Sequence, residues 1–164
     1  MLLVLISDTH GKVNAAVQAV RQAGSPDMIL HAGDFFHDAT RLQREVVVPV
    51  IGVRGNCDSF SPGPDEQVLE AAGTRVLMTH GHLYNVKNRL TDLCKRASEL
   101  GARVVVFGHT HVSAIEVVDG CLLVNPGSLY RSRDPMGRTF AVLRAGEGEP
   151  TACIFRLEEL GGRD

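Results

Sequence analysis

The chain has no C-x-x-C pair: its four cysteines, Cys57, Cys94, Cys121 and Cys153, stand far apart. That argues against a zinc knuckle and against a disulfide framework, and fits a reducing cytoplasm. An excess of either charge is also missing. Seventeen basic against nineteen acidic residues leave a formal net charge of -2, so neither a nucleic-acid polymer nor an acidic membrane is expected as a partner. Long hydrophobic runs are absent too. The opening Met1 to Ile6 is apolar but short, has no basic segment before it and runs straight into Asp8, so it reads as a buried first strand rather than a signal segment or membrane span. There is no internal repeat, low-complexity tract or linker.

What is present is enough apolar material for a core. At 164 residues and 44% hydrophobic content, residues 1–164 have the length and composition of one domain. Leu2 to Ser7 reads as a strand, and Val13, Ala16, Val17 and Val20 recur at helical spacing over Val13 to Ala23. A second strand is expected over Asp27 to His31, and a third over Val46 to Val53, interrupted by Pro49. This βαβ-like order predicts a parallel sheet. Short strands follow at Val68-Leu69 and Arg75 to Met78, then a helix from about Val86 to Leu100 and a strand over Arg103 to Phe107. From Ala114 onward the chain reads as β-rich, with strands at Ile115 to Val118, Cys121 to Val124, Phe140 to Leu143 and Cys153 to Leu157. Asn125-Pro126-Gly127-Ser128 forms a turn, and Gly161 to Asp164 form a loose end.

Five short polar clusters hold seven residues able to bind metal ions: Ser7-Asp8-Thr9-His10-Gly11, Ala32-Gly33-Asp34, Gly55-Asn56-Cys57-Asp58, Thr79-His80-Gly81-His82 and Gly108-His109-Thr110-His111. Most follow directly on an apolar, strand-like run. Sites in open α/β sheets form where loops converge at the carboxyl ends of strands, so these clusters are expected to meet. Glycine beside the ligands in each cluster lets the backbone bring side chains to a common centre without Cβ clashes.

The order D-x-H, G-D, G-N-x-D, H-G and G-H-T-H resembles the calcineurin-like metallophosphoesterase superfamily, and within it the short bacterial and archaeal phosphodiesterases of the YfcE type. The similarity runs from Ser7 to about Arg144. It implies an α/β fold, a four-layer αββα sandwich of two mixed β-sheets flanked by helices, with a dinuclear centre at the strand ends. Carried onto this chain, it implies Asp8, His10 and His111 on one metal, Asn56, His80 and His109 on the other, and Asp34 bridging. Mixed carboxylate, imidazole and amide donors without thiolate suit Mn²⁺, Fe²⁺, Zn²⁺ or Ni²⁺, with Mn²⁺ the first expectation. Two such ions roughly 3.5 to 4 Å apart can clamp a phosphate and activate a bridging hydroxide for in-line attack.

One position departs from many phosphatases of the superfamily, which have histidine where this chain has Cys57. A thiol with a pKa of about 8.5 is a poor general acid. Good leaving groups, as in aryl phosphodiesters, are therefore favoured. The YfcE-type branch resembles this chain in having G-N-C-D.

Each residue also has an ordinary reading. Asp8, Asn56 and Asp58 could serve turns, and Asp38 and Asp58 read as helix or turn residues rather than ligands. His31 reads as a satisfied core histidine, His37 as part of a solvated helix start, and Arg131 and Arg133 as surface charges. Cys57 is read as a small filler and His82 as an exposed loop imidazole, although both are candidates for a part beyond the metal ligands.

The function expected is a dinuclear metal-dependent phosphodiesterase acting on a small phosphodiester. The alternatives are a phosphomonoesterase and a protein-binding scaffold of the same fold, as in the retromer subunit of this superfamily. The loops expected to form the pocket, Phe35 to Thr40, Asp58 to Glu66 and Ser128 to Gly137, carry no nucleotide or sugar signature, and nothing in the sequence indicates an oligomeric state.

Overall fold

In β1 (Leu2–Ile6) every position is apolar because both faces of the strand are covered. Leu3 and Leu5 point into one buried cluster, Val4 and Ile6 into another, as strand alternation requires. The computed structural model describes residues 1–158, and the loose end expected at Gly161 to Asp164 lies outside the described residues.

The elements after β1 are α1 (Val13–Ala23), β2 (Met28–His31), α2 (Phe36–Glu45), β3 (Val50–Gly52), β4 (Glu66–Ala71), β5 (Thr74–Thr79), α3 (Thr91–Leu100), β6 (Val104–Val106), β7 (Ser113–Val118), β8 (Cys121–Pro126), β9 (Thr139–Arg144) and β10 (Thr151–Arg156). They form two five-stranded mixed sheets, ordered β10-β9-β1-β2-β3 and β4-β5-β6-β8-β7. In the first, β1, β2 and β3 run parallel, β9 pairs antiparallel with β1, and β10 pairs antiparallel with β9. In the second, β5, β6 and β8 run parallel, while the edges β4 and β7 are antiparallel.

Three buried clusters make four layers. The first joins the facing sides of the two sheets through Leu3, Leu5, Leu30, Val76, Met78, Val104, Val106 and Val124. The second packs Val4, Ile6, Ile29 and Phe140 under Ala16, Ala19 and Val20 of α1 and Leu42 of α2. The third packs Leu77, Val105 and Leu123 under Leu93 and Ala97 of α3. The expected sandwich of two mixed sheets flanked by helices is thus the observed fold.

Three elements differ from the sequence reading. Helix α2 occupies most of the segment expected to be a loop, because only Asp38, Ala39 and Leu42 are buried in it and its apolar stripe is too thin to read. Strand β3 starts at Val50 rather than Val46. Pro49 has no N–H to donate to a ladder, and Gln43 of α2 ties the preceding turn, donating to Val48 O at 3.1 Å and accepting from Val50 N at 2.8 Å. Helix α3 starts at Thr91 rather than Val86, because a 3-10 turn at His82–Tyr84 ends on Asn85 in a left-handed conformation.

The topology aims the polar clusters at one place. Asp8 follows β1, Asp34 follows β2, Asn56 follows β3, His80 follows β5 and His109 follows β6, all at the carboxyl ends of parallel strands.

Candidate metal centre

Asp8 is fully buried. Its Oδ2 accepts hydrogen bonds from Ser7 Oγ at 2.6 Å and from the backbone N–H of His109 at 3.2 Å, while Oδ1 has no hydrogen-bond partner. Asp34 turns its two oxygens different ways. Oδ2 lies 3.6 Å from His10 Nε2, and Oδ1 lies 3.4 Å from His80 Nε2 while accepting from Cys57 N at 3.0 Å.

Two imidazoles are fixed from behind. His111 Nδ1 lies 2.7 Å from Arg131 O, and His80 Nδ1 lies 2.8 Å from Ala32 O. A carbonyl only accepts, so both rings carry their proton on Nδ1 and, when neutral, present the Nε2 lone pair forward. His111 Nε2 then faces Asp8 Oδ1 at 3.0 Å, and His80 Nε2 faces Asn56 Oδ1 at 3.2 Å and Asp8 Oδ1 at 3.9 Å. His10 Nε2 is likewise buried without a hydrogen-bond partner. Acceptors crowded against acceptors in a buried place call for a cation among them, and a backbone carbonyl behind the ring is the usual support of a ligating histidine. The residues fit divalent metal.

Donor atoms of Asp8, His10, Asp34 and His111 all lie within 4.8 Å of one another. His80 adjoins this group through Asp34 Oδ1, Asn56 Oδ1 lies against His80 Nε2, and His109 stands against His80 with ring centroids 5.0 Å apart. All seven sequence-predicted ligands therefore gather at one end of the two sheets, with His109 tied in by ring contact and through its N–H.

The backbone is bent to deliver them. Asp8, His10, Asp34, His109 and His111 all have positive φ, between 44° and 69°, a conformation that L-residues seldom adopt, Asp and His among the more tolerant. Two glycines serve by close approach. A Cβ on Gly55 would sit 2.1 Å from Asp34 Oδ1, and one on Gly108 would sit 1.9 Å from Ser7 Oγ, so any larger residue would push a ligand loop aside.

Buried polar residues outside these seven hold the loops. Asp38 of α2 accepts from Thr9 Oγ1 at 2.7 Å and Gly11 N at 2.6 Å, pinning the loop of Asp8 and His10. His31 lies behind, its Nε2 2.9 Å from Thr9 Oγ1 and its Nδ1 3.3 Å from Gly33 N. It is a satisfied core histidine, and burial holds its pKa below the usual imidazole value. Asp58 closes its own turn by accepting from Gly55 N, and it also accepts from Phe36 N at the start of α2. Asn125 donates to Gly108 O at 3.0 Å and Thr110 Oγ1 at 2.9 Å, and Ser128 Oγ donates to Asp8 O at 3.0 Å. A turn was expected over Asn125 to Ser128, but Asn125 and Pro126 end β8, and an Asn followed by Pro-Gly-Ser was the signal available in sequence.

Two further residues depart from their ordinary readings, and a third gains a role through its backbone. Cys57 is exposed at the surface rather than a filler. Partial desolvation of its sulfur first, and the Asp34 carboxylate second, push the thiol up to about 11, so it stays protonated at neutral pH. His82 is half-buried rather than an exposed loop residue, its ring 5.4 Å from that of His80 and 6.2 Å from that of His109. Burial lowers its pKa, with His80 adding to the effect. Arg131 is exposed, as a surface charge should be, yet its carbonyl is the one that orients His111. His37 is exposed at the start of α2, as expected.

Electrostatics separate the two imidazoles of the last cluster. Burial brings His109 down to about 4, with His80 adding to the shift. The contact with Asp8 raises His111 against the opposing effect of burial.

Residues 1–148 match the family model of the calcineurin-like phosphoesterase superfamily domain. The chain is 36% identical over 165 residues to "Probable metallophosphoesterase YsnB" of Bacillus subtilis strain 168, covering 100% of this chain and 94% of that one. It is 30% identical over 155 residues to "Phosphodiesterase YfcE" of Escherichia coli K12, covering 79% of each. Among solved structures, Vps29 of Entamoeba histolytica complexed with zinc shares the fold with a TM-score of 0.77 at 21% identity, covering 99% of this chain and 94% of that chain. The ordered ligand loops, the two mixed sheets and these likenesses lead to one assignment: the chain belongs to the calcineurin-like phosphoesterase superfamily and is a metal-dependent phosphoesterase.

Proposed function

We propose that this protein is a dinuclear phosphodiesterase acting on small phosphodiesters. The observation that carries the reading is Asp34, whose two oxygens turn toward different donor sets, Oδ2 to His10 and Oδ1 to His80. Asp8, His10 and His111 make up the first set; Asn56, His80 and His109 make up the second; Asp34 serves both. Oxygen and nitrogen donors with no thiolate favour Mn²⁺ first, with Fe²⁺, Ni²⁺ or Zn²⁺ as substitutes. When bound, such a pair supplies Lewis acidity toward the phosphoryl oxygens and a water activated near neutral pH.

The chain's own residues orient that chemistry. Arg131 O and Ala32 O hold His111 and His80 in the tautomer that leaves Nε2 free to ligate. Ser7 and the His109 N–H occupy one oxygen of Asp8, so the other points inward. Position 57 offers a protonated thiol rather than an imidazole, so leaving-group stability has to substitute for acid catalysis. That favours aryl phosphodiesters over alkyl phosphomonoesters. His82, neutral and half-buried beside His80 and His109, is the remaining imidazole able to hydrogen-bond a substrate. Among the described residues no helix is long and apolar enough to cross a membrane, and the four free cysteines fit the reducing cytoplasm proposed as its compartment.

The test is hydrolysis of bis(4-nitrophenyl) phosphate by protein stripped with chelator and reloaded with Mn²⁺. Turnover that appears with metal and exceeds that on 4-nitrophenyl phosphate supports the reading; preference for the monoester would favour a phosphomonoesterase. No turnover with either, at full metal loading, would favour the binding scaffold.

A further inference from the structure

Beside the candidate centre lies an open groove of about 620 Å³, lined by His10 and His111 on the metal side and by Phe35, Tyr130, Arg131 and Arg133 beyond them. Its chemistry differs from that of the centre. Phe35 is exposed and its ring lies 4.9 Å from that of His10; Tyr130 is half-buried at 5.7 Å from the same ring. Lys12 Nζ and Arg131 Cζ stand 5.5 Å and 5.2 Å from the Tyr130 ring centre. Among the described residues, Lys12, Arg131 and Arg133 form no ion pair with a carboxylate, and the next carboxylate along the chain, Asp134, already accepts from Ser113 N and Met136 N at 2.8 Å each.

Phe35 is also held at a φ of 69°, where a bulky residue is an outlier and glycine or asparagine would be easier. A strained backbone that presents an exposed ring against a ligand residue is difficult to explain by packing. Its ring is available for stacking. The cations are equally specific in implication: the metal centre already answers the charge of the scissile phosphate, so further unpaired arginines in the adjoining groove answer another anionic group.

We propose that this groove is a nucleotide subsite, in which Phe35 stacks on the base of the substrate while Arg131, braced over the Tyr130 ring, and Arg133 bind a second phosphate. The inference rests on the phosphodiesterase reading and narrows it to nucleotide esters that carry a phosphate besides the one cleaved.

Three chromogenic diesters with a common leaving group separate the contributions: bis(4-nitrophenyl) phosphate, the 4-nitrophenyl ester of thymidine 5′-phosphate, and the same ester bearing a 3′-phosphate. With Mn²⁺-loaded protein, kcat/KM should rise along that series, mainly through lower KM. In R131A/R133A the ratio between the last two should fall by about tenfold or more, as expected for lost charge-assisted bonds. In Phe35→Leu the ratio between the first two should shrink by about tenfold, as expected for lost base stacking. A second readout needs no turnover: thymidine 3′,5′-bisphosphate should bind the chelated wild-type chain in calorimetry, and at least about tenfold more weakly to R131A/R133A. Equal kcat/KM for the two nucleoside esters, or equal calorimetric binding by wild type and variant, would overturn the subsite while hydrolysis of bis(4-nitrophenyl) phosphate left the phosphodiesterase reading standing. No hydrolysis of any of the three would overturn both.

Discussion

His111 and Asp8 meet with Nε2 and Oδ1 only 3.0 Å apart, although the ring's proton is committed to the Arg131 carbonyl on its other side. Two acceptors at that distance, one on a fully buried carboxylate, are stable only with a proton or metal between them. The chain spends structure on keeping this contact: both residues sit at positive φ, and Ser7 and Ser128 hold Asp8 in place.

His111→Ala and His109→Ala should therefore each lose metal and at least about a hundredfold in turnover, in the range seen when a metal site is compromised, while the fold persists. Chelation of the wild type should lower its melting temperature toward that of the variants, since an ion that binds only the folded chain stabilises it. Differential scanning calorimetry with and without chelator checks this. A variant that keeps its metal and its turnover would remove that histidine from the ligand set.

Cys57→His places an imidazole where the chain has a protonated thiol beside Asp34. Hydrolysis of 4-nitrophenyl phosphate and of alkyl monoesters should rise by about tenfold, a modest part of a general-acid contribution. Unchanged monoesterase activity with both metals bound would mean that position 57 does not face the leaving group.

The strands and the meeting of the seven candidate residues were legible in sequence because each apolar run ends in a polar cluster, and parallel strands deliver such clusters to one sheet end. Helix α2 was legible only at its start, around His37, since it buries only Asp38, Ala39 and Leu42, and one of those three is charged. The left-handed conformations at Asp8, His10, Asp34, His109 and His111 carry no periodic signal at all. Asp38 and Asn125 were read as ordinary helix and turn residues because what sets their role is contact with loops 27 and 17 positions away in sequence, at Gly11 and Gly108. Their partners are set by tertiary packing.

Asn125→Ala tests that supporting role. It leaves Gly108 O and Thr110 Oγ1 without their donor in a buried place, which should cost about 1 to 3 kcal/mol of stability. Metal affinity should fall by about tenfold or more, because the loop of His109 and His111 is no longer held. Urea unfolding and metal titration measure the two effects; loss of neither would make Asn125 a bystander.

His31 gives the fold a pH dependence of stated sign. Burial puts its folded pKa below 6.5, so the unfolded chain takes up a proton that the folded chain refuses. Its contribution to stability is present above the unfolded value and is lost as pH falls from there through the folded value, at up to about 1.4 kcal/mol per pH unit. Urea unfolding at pH 7.5 and pH 5.5, on chelated protein, should show a smaller loss in His31→Gln than in the wild type. Equal losses would assign the acid sensitivity to other groups.

Asp34 is proposed to join two ions, and metal analysis of the Mn²⁺-loaded chain and of Asp34→Asn, paired with turnover of bis(4-nitrophenyl) phosphate, decides whether it does. Two ions are expected per wild-type chain, fewer in the variant, with a parallel loss of turnover. One ion per chain in a fully active wild type, or two ions and normal turnover in Asp34→Asn, would contradict that role.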